Sequence, residues 1–311
     1  MWELIRQNKR KSFVLFSLMG TCLILLGYLI GEAVSPGLGV SGLILATVIW
    51  VVLSSVSYFS GDSIILNMSG AKEVTPQVHP RLFNVVEEMK IAAGLPVMPK
   101  VYIIDSSALN AFATGRKPEK SSLAITAGLL SKLDRDELQG VVAHEMSHIL
   151  NRDILFVTFA GIMLGSITLI SQIFFRGTLY SGGRISRVQD RRSSREGGGL
   201  PVMAIIALIF AVLAPIMAQL LYLAISRRRE YLADASAVRL TRYPEGLAGA
   251  LEKISQSTED LAGVNKITAP LYIANPIKEK GMRLSDLTST HPPISERIKI
   301  LRALSRGADL A

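Results

Sequence analysis

At 311 residues the chain is long enough for two ordinary domains. Its 49% hydrophobic content and mean hydropathy of +0.37 argue against an ordinary water-soluble protein. The net charge of +9 does not mark a nucleic-acid-binding face. Residues 1–12 carry four Lys/Arg against Glu3, residues 176–196 carry six Arg against Asp190 and Glu196, and both segments border apolar runs. No zinc finger, aromatic–basic interleaving or RNA-binding signature accompanies the charge, so no nucleic-acid partner is expected. Cys22 is the only cysteine, which excludes an intramolecular disulfide and a cysteine-based metal site.

Four runs lack any charge: residues 13–31, 38–59, 154–175 and 200–226, of 19, 22, 22 and 27 residues. About 20 apolar residues cross the hydrocarbon core as a helix, so each run is expected to span. The first begins behind a basic N-terminus, as a signal peptide does. It is long, no small-x-small cleavage site follows, and a second run comes at once, so it reads as a retained anchor. Residues 32–37 leave room only for a tight turn between the first two runs.

Residues 60–153 read as a soluble α/β segment. Leu82, Val85, Val86 and Met89 recur at i, i+3, i+4, i+7, predicting a helix over 80–93 that Gly94 stops and Pro96 leaves. His79, just before Pro80, reads as a helix-entry residue. Residues 101–105 and 122–126 read as strands, with 110–115 an extended segment ending in a glycine turn. Asp134 followed by Glu137 is a capping box, opening a helix to about Asn151. The link 176–199 is rich in Gly, Ser and Arg. Beyond the fourth run a helix continues over 227–240, another opens at Pro244, and an amphipathic one occupies roughly 292–304.

The chemistry concentrates in His144-Glu145-Met146-Ser147-His148, within the capped helix. Histidines four apart lie one above the other on a helix face and can reach one metal ion. Glu145, one residue step of about 100° away, can contact a metal-bound water without becoming a ligand. Zinc lowers the pKa of such a water to ~7, and a carboxylate can take its proton as it attacks a peptide carbonyl. A third protein ligand is needed, and no histidine follows at short spacing. The best candidate is Glu230. Asp234 shares its face at i+4, so one carboxylate can bind the metal while the other hydrogen-bonds a ligand histidine.

The segments NAFATG (110–115), LDRDELQGVVAHEMSHILNRD (133–153), SRRREYLADASA (226–237) and STHPPISERIKIL (289–301), interrupted by a hydrophobic pair, resemble the HtpX-type membrane proteases. These group with the CAAX prenyl endopeptidases among gluzincin-like enzymes. The resemblance implies zinc at His144, His148 and Glu230, Glu145 as catalytic base, and Asp234 orienting His144. Asn110, Ala111, Phe112 and Ala113 resemble the family's edge strand, on which a peptide substrate can lie as an added strand; the alternative is an ordinary hairpin strand. His291, before Pro292-Pro293, either donates to the oxyanion of the tetrahedral intermediate, as a distant histidine does in related proteases, or starts a helix.

The expected fold is mainly α with a small β-sheet: a zincin-like (gluzincin) core attached to two transmembrane helical hairpins. The expected divisions are an N-terminal hairpin (1–59), a first catalytic part (60–153), a second hydrophobic hairpin (154–226) and a second catalytic part (227–311). His148 and Glu230 must share one side of the membrane, so an even number of crossings separates them. A basic, cytoplasmic N-terminus then puts the site in the cytoplasm of a multi-pass cell-membrane protein. Full crossing by the second pair, the favoured reading, would place the 176–199 arginines outside, against the charge rule; either packing around the catalytic domain overrides that rule or the third and fourth runs do not cross fully. The expected function is zinc-dependent cleavage of membrane or membrane-associated polypeptides, in protein quality control as the resemblance implies. The alternatives are a dedicated CAAX-type or signal-peptide-type processing protease, or a membrane scaffold that retains zinc; the intact Glu145 disfavours the scaffold.

Overall fold

The computed structural model describes residues 2–180, 202–259, 261, 271–274 and 291–306. The segment linking the third and fourth apolar runs falls largely at 181–201, outside the described residues. The described chain is mostly helical, with one small mixed sheet. It divides into two compact units, one of Met1–Ser12, Ser57–Gly161 and Tyr222–Ala311, the other of Phe13–Val56 and Ile162–Leu221.

The N-terminal apolar runs form α1 (Trp2–Val34) and α2 (Gly39–Met68). Two segments, Phe13–Val34 and Gly39–Met68, are long and apolar enough to cross a membrane by length and composition. The turn between them is closed by a side chain: Gly37 and Gly39 each donate their backbone N–H to Glu32, at 3.0 Å. This satisfies an amide at the start of α2 that the helix itself leaves open. Phe16 and Trp50 meet across the pair with ring centroids 5.1 Å apart. Much of α2 presents apolar side chains outward, including Val40, Ile44, Leu45, Val48, Val51 and Val52, all more than half exposed.

The other unit carries β1 (Ala71–Glu73), α3 (Pro80–Ala93), β2 (Lys100–Ile104), β3 (Ala111–Lys117), β4 (Lys120–Thr126), α4 (Ala127–Lys132) and α5 (Arg135–Leu150). Helix α3 buries the four residues its spacing selects and ends on Gly94 at φ 64, a left-handed cap that glycine adopts without a Cβ penalty. The strand order is β1-β2-β4-β3, with β2 parallel to β4 and the other pairs antiparallel. The expected glycine turn is absent. Strand β3 continues past Gly115 through an irregular register to Lys117, because Gly115 absorbs the bulge at φ +135. Strand β1 and helix α4, three and six residues long, are too short to print a period.

Helix α5 opens with the capping box as read: Glu137 N–H to Asp134 Oδ1 at 2.9 Å, and Asp134 N–H to Glu137 Oε2 at 2.8 Å. Its core residues Leu138, Val141, Val142, Met146 and Ile149 are fully buried. They pack with the sheet, α3, α8 (Pro244–Gln256) and α9 (Ile294–Ser305). Gly140 lets α8 approach backbone to backbone, since a Cβ there would stand 2.5 Å from the Leu247 nitrogen. At its far end Arg152 N–H returns to Ile149 O and Asp153 N–H to His148 O, at 3.2 and 3.0 Å. This is a Schellman closure, with Arg152 rather than glycine in the left-handed region at φ 62. That conformation costs an L residue roughly 1 kcal/mol or more.

The third and fourth runs lie in α6 (Ile154–Tyr180) and α7 (Val202–Thr241). Helix α7 runs on beyond the apolar stretch, carrying the segment 226–237 with Glu230 and Asp234 into the unit that holds α5.

Candidate metal centre and active site

His144 and His148 lie one turn apart on α5, and Glu230 comes from α7, 82 positions after His148 in the numbering. The fold brings them together. The two histidine Nε2 atoms are 3.2 Å apart. His144 Nε2 lies 3.6 Å from Glu230 Oε2, and His148 Nε2 lies 3.6 Å from Glu230 Oε1. Ligand atoms about 2.1 Å from a tetrahedral ion are separated from one another by roughly 3.4 Å. The three separations therefore fit a single small divalent cation. Glu230 Oε2 is also buried without a hydrogen-bond partner, an arrangement a buried carboxylate rarely keeps unless something else satisfies it.

The electrostatics agree. Burial opposes the charged form of Glu230, yet His291, His144, His148 and Arg297 together hold its pKa well below the usual carboxylate range. Burial also opposes charge on His144, but the Asp234 and Glu230 carboxylates win and push it up to about 9. The carboxylates and imidazoles thus favour one another's charged forms despite their burial.

Asp234 sits behind His144, its Oδ1 2.9 Å from Nδ1. The two carboxylates are placed differently: Glu230 faces both Nε2 atoms, and Asp234 faces the opposite nitrogen of one ring. Asp234 is in turn gripped by Arg297 of α9, Nε to Oδ2 at 2.8 Å and Nη2 to Oδ1 at 2.7 Å. Arg297 is 1% exposed, its Nη1 donates to Ile273 O at 2.8 Å, and the same nitrogen lies 3.4 Å from Glu230 Oε2. Burial works against its charge, but Asp234 and Glu230 raise its pKa further. Sequence reasoning did not single out Arg297. The available signal was a charge on the apolar stripe of α9, in step with Ile294, Ile298 and Leu301.

Glu145 is 1% exposed, and its Oε1 has no hydrogen-bond partner. Burial pushes its carboxyl pKa up, against the pull of His144 and His148 and the hydrogen bond from the Ala113 backbone. That last contact links the candidate base directly to β3. The other edge-strand candidates are placed differently. Asn110 anchors the strand: its backbone N–H donates to Thr126 Oγ1 at 3.0 Å and its Nδ2 to Ala274 O at 3.1 Å, while its Oδ1 accepts Ala111 N–H at 3.1 Å. Ala111 O accepts Ile273 N–H at 2.9 Å. Phe112 points to the opposite face, against Tyr272 with ring centroids 5.1 Å apart. His291 does reach the site, its Nε2 3.9 Å from Glu230 Oε2, and burial lowers its pKa. His79 caps no amide with its side chain and simply precedes α3.

Two imidazoles one turn apart, a buried glutamate between them in sequence and a carboxylate from a distant helix form the constellation of a metallopeptidase. The chain belongs to peptidase family M48, whose profile matches residues 76–305. It is 44% identical over 303 residues to the Protease HtpX homolog of Dictyoglomus thermophilum, covering 97% of this chain and 94% of that protein. It is 43% identical over 306 residues to the Protease HtpX homolog of Streptococcus uberis, covering 97% and 99%. Among solved structures, that of S. mikatae Ste24p aligns over 97% of this chain and 67% of that one, at 19% identity and a TM-score of 0.49. The chain is accordingly a metalloprotease.

Proposed function

We propose that this chain is a multi-pass membrane zinc endopeptidase that cleaves membrane or membrane-associated polypeptides, serving membrane protein quality control. The observation that carries the reading is the convergence of His144, His148 and Glu230, whose ligand atoms lie within 4.8 Å of one another, beside a buried Glu145. Two imidazoles and one carboxylate suit zinc among the common divalent ions. When bound, zinc polarises the scissile carbonyl and makes water acidic enough to attack at neutral pH.

The chain's own groups supply the rest. Glu145 takes the proton of the attacking water through its unpartnered Oε1 and passes it to the leaving amine. Asp234, backed by Arg297, holds the His144 ring with its proton on Nδ1, which leaves the Nε2 lone pair to hold zinc when it is bound. His291 donates to the oxyanion as the carbonyl becomes tetrahedral. The substrate backbone lies along the outer edge of β3 near Ala113, where Glu145 is anchored.

The apolar faces of α2 left open to the surroundings support a bilayer as their solvent. The catalytic domain is divided into 60–153 and 227–311, with 154–226 inserted as a second membrane hairpin and 1–59 as the first. Both catalytic parts face the cytoplasm, on the side of the basic N-terminus.

The activity is tested by incubating detergent-purified protein with membrane proteins, with and without a chelator, and reading cleavage products by mass spectrometry. Cleavage that stops with the chelator and returns with zinc is expected. Cleavage indifferent to the chelator removes the metal mechanism. The topology is tested with single cysteines at Glu119, in the exposed turn between β3 and β4, Ser193 and Ser305 in a Cys22→Ala background, labelled on intact cells with an impermeant thiol reagent. Glu119→Cys and Ser305→Cys should label only after the cells are opened, and Ser193→Cys from outside. Labelling at position 119 from outside overturns the cytoplasmic site, and protection at 193 overturns the second crossing.

A further inference from the structure

We propose that Asp153 is a positioning residue for His148, braced by Arg229, so that both metal-facing imidazoles are held by a buried carboxylate–arginine pair. The inference rests on the metal-site reading above and extends it to Asp153 and Arg229, to which the sequence motifs assigned no role. Asp153 Oδ2 lies 3.4 Å from His148 Nδ1, and the ring's other nitrogen faces Glu230 and His144. A proton held on Nδ1 by a carboxylate leaves Nε2 as the lone-pair donor, the state a ligand must have.

The placement comes from the local backbone. The Schellman closure of α5 folds Asp153 N–H back onto the His148 carbonyl at 3.0 Å, which returns the Asp153 side chain to the ring five residues earlier. Arg152 accepts a left-handed φ of 62 to permit this turn. Asp153 Oδ1 faces Arg229 Nη1 at 3.4 Å, and the Arg229 guanidinium lies 3.8 Å from the centroid of the Phe156 ring, a cation–π distance. Asp153 and Arg229 are 1% and 3% exposed. On the other side, His144, Asp234 and Arg297 repeat the order imidazole, carboxylate, guanidinium.

Helix α7 thus serves the centre three times: Glu230 would hold the ion together with the two Nε2 atoms it faces, Asp234 braces His144, and Arg229, the residue before Glu230, braces the carboxylate behind His148. This ties the exit of the zinc helix to the return of the chain from the 154–226 insertion.

The alternative role for Asp153 is only to neutralise Arg229, and the test separates the two. Asp153→Leu combined with Arg229→Met removes both charges and leaves neither unpaired. Full-length protein in detergent is assayed for zinc affinity by competition with a chromophoric chelator, for its cobalt(II) ligand-field spectrum, and for thermal unfolding. The double variant should unfold near the wild-type temperature, bind zinc ~10–100-fold more weakly, and show an altered cobalt spectrum. Asp153→Asn, which keeps the shape and a weaker acceptor, should lose about 10-fold. Wild-type zinc affinity in the double variant overturns the proposal, and so does wild-type affinity in Asp153→Asn should the double variant not fold. Failure of the wild-type chain itself to take up metal overturns the metal-site reading and this proposal together.

Discussion

Replacing Glu145 by Gln is expected to lower peptide cleavage by ~10²–10⁴-fold or more while about one zinc per chain remains bound. The substitution keeps the shape of a fully enclosed side chain and its contact with the Ala113 backbone, which an amide oxygen accepts as a carboxylate does. It removes only the capacity to take a proton at Oε1, the atom left without a partner. Metal analysis of the purified variant beside its cleavage rate checks both halves. Substantial turnover with the metal in place would take Glu145 out of the mechanism, and loss of metal would make it a ligand or a structural support.

Glu230→Ala is expected to empty the site, because two imidazoles without a third ligand hold zinc poorly. Asp234→Ala is expected to weaken metal affinity by only ~10–100-fold, since it removes the partner of His144 and not a donor atom. The second variant carries a further consequence. Arg297 is paired to Asp234 in the interior, and removing one member of a buried pair costs roughly 3–5 kcal/mol of stability. Asp234→Ala should therefore unfold at lower temperature, and adding Arg297→Met should recover stability without recovering metal affinity. Unchanged zinc content in Glu230→Ala would assign the third ligand elsewhere, with Asp234 next in line.

Much of the site was legible because it is written in short-range spacing. His144 and His148 share a helix face by the 3.6-residue period, and Asp134 with Glu137 marks where that helix begins. The face of α3 and the strands β2 and β4 follow from the same local rules. Glu230 and Asp234 could be paired with the histidines as candidates, though their division of labour could not be assigned by spacing alone. Arg297 and Asp153 escaped notice for different reasons. Arg297 stands as a charge on the apolar stripe of α9, and what it pairs with is not visible until Asp234 is found against it. Asp153 lies in a stretch that looks like a helix end followed by an apolar run, and nothing in its spacing from His148 reveals the Schellman return. The edge strand was legible as an extended segment, but not the use of Asn110 to tie β3 to Thr126 and Ala274.

The amino-acid sequence by itself determined the elements and the candidate donors: apolar runs of membrane length, a capped helix with two histidines in register, and carboxylates at i and i+4 on a later helix. Each of these is a property of neighbours within one or two turns, where backbone geometry alone sets distance. Only the tertiary structure decided which carboxylate faces the Nε2 atoms and which lies against a ring's Nδ1, that Arg297 and Arg229 face the carboxylates at Nδ1, and that Glu145 meets the Ala113 backbone of β3. Those assignments join residues up to 86 positions apart, His144 to Glu230. In a close-packed interior every charge must find its partner in space, whatever its distance along the chain.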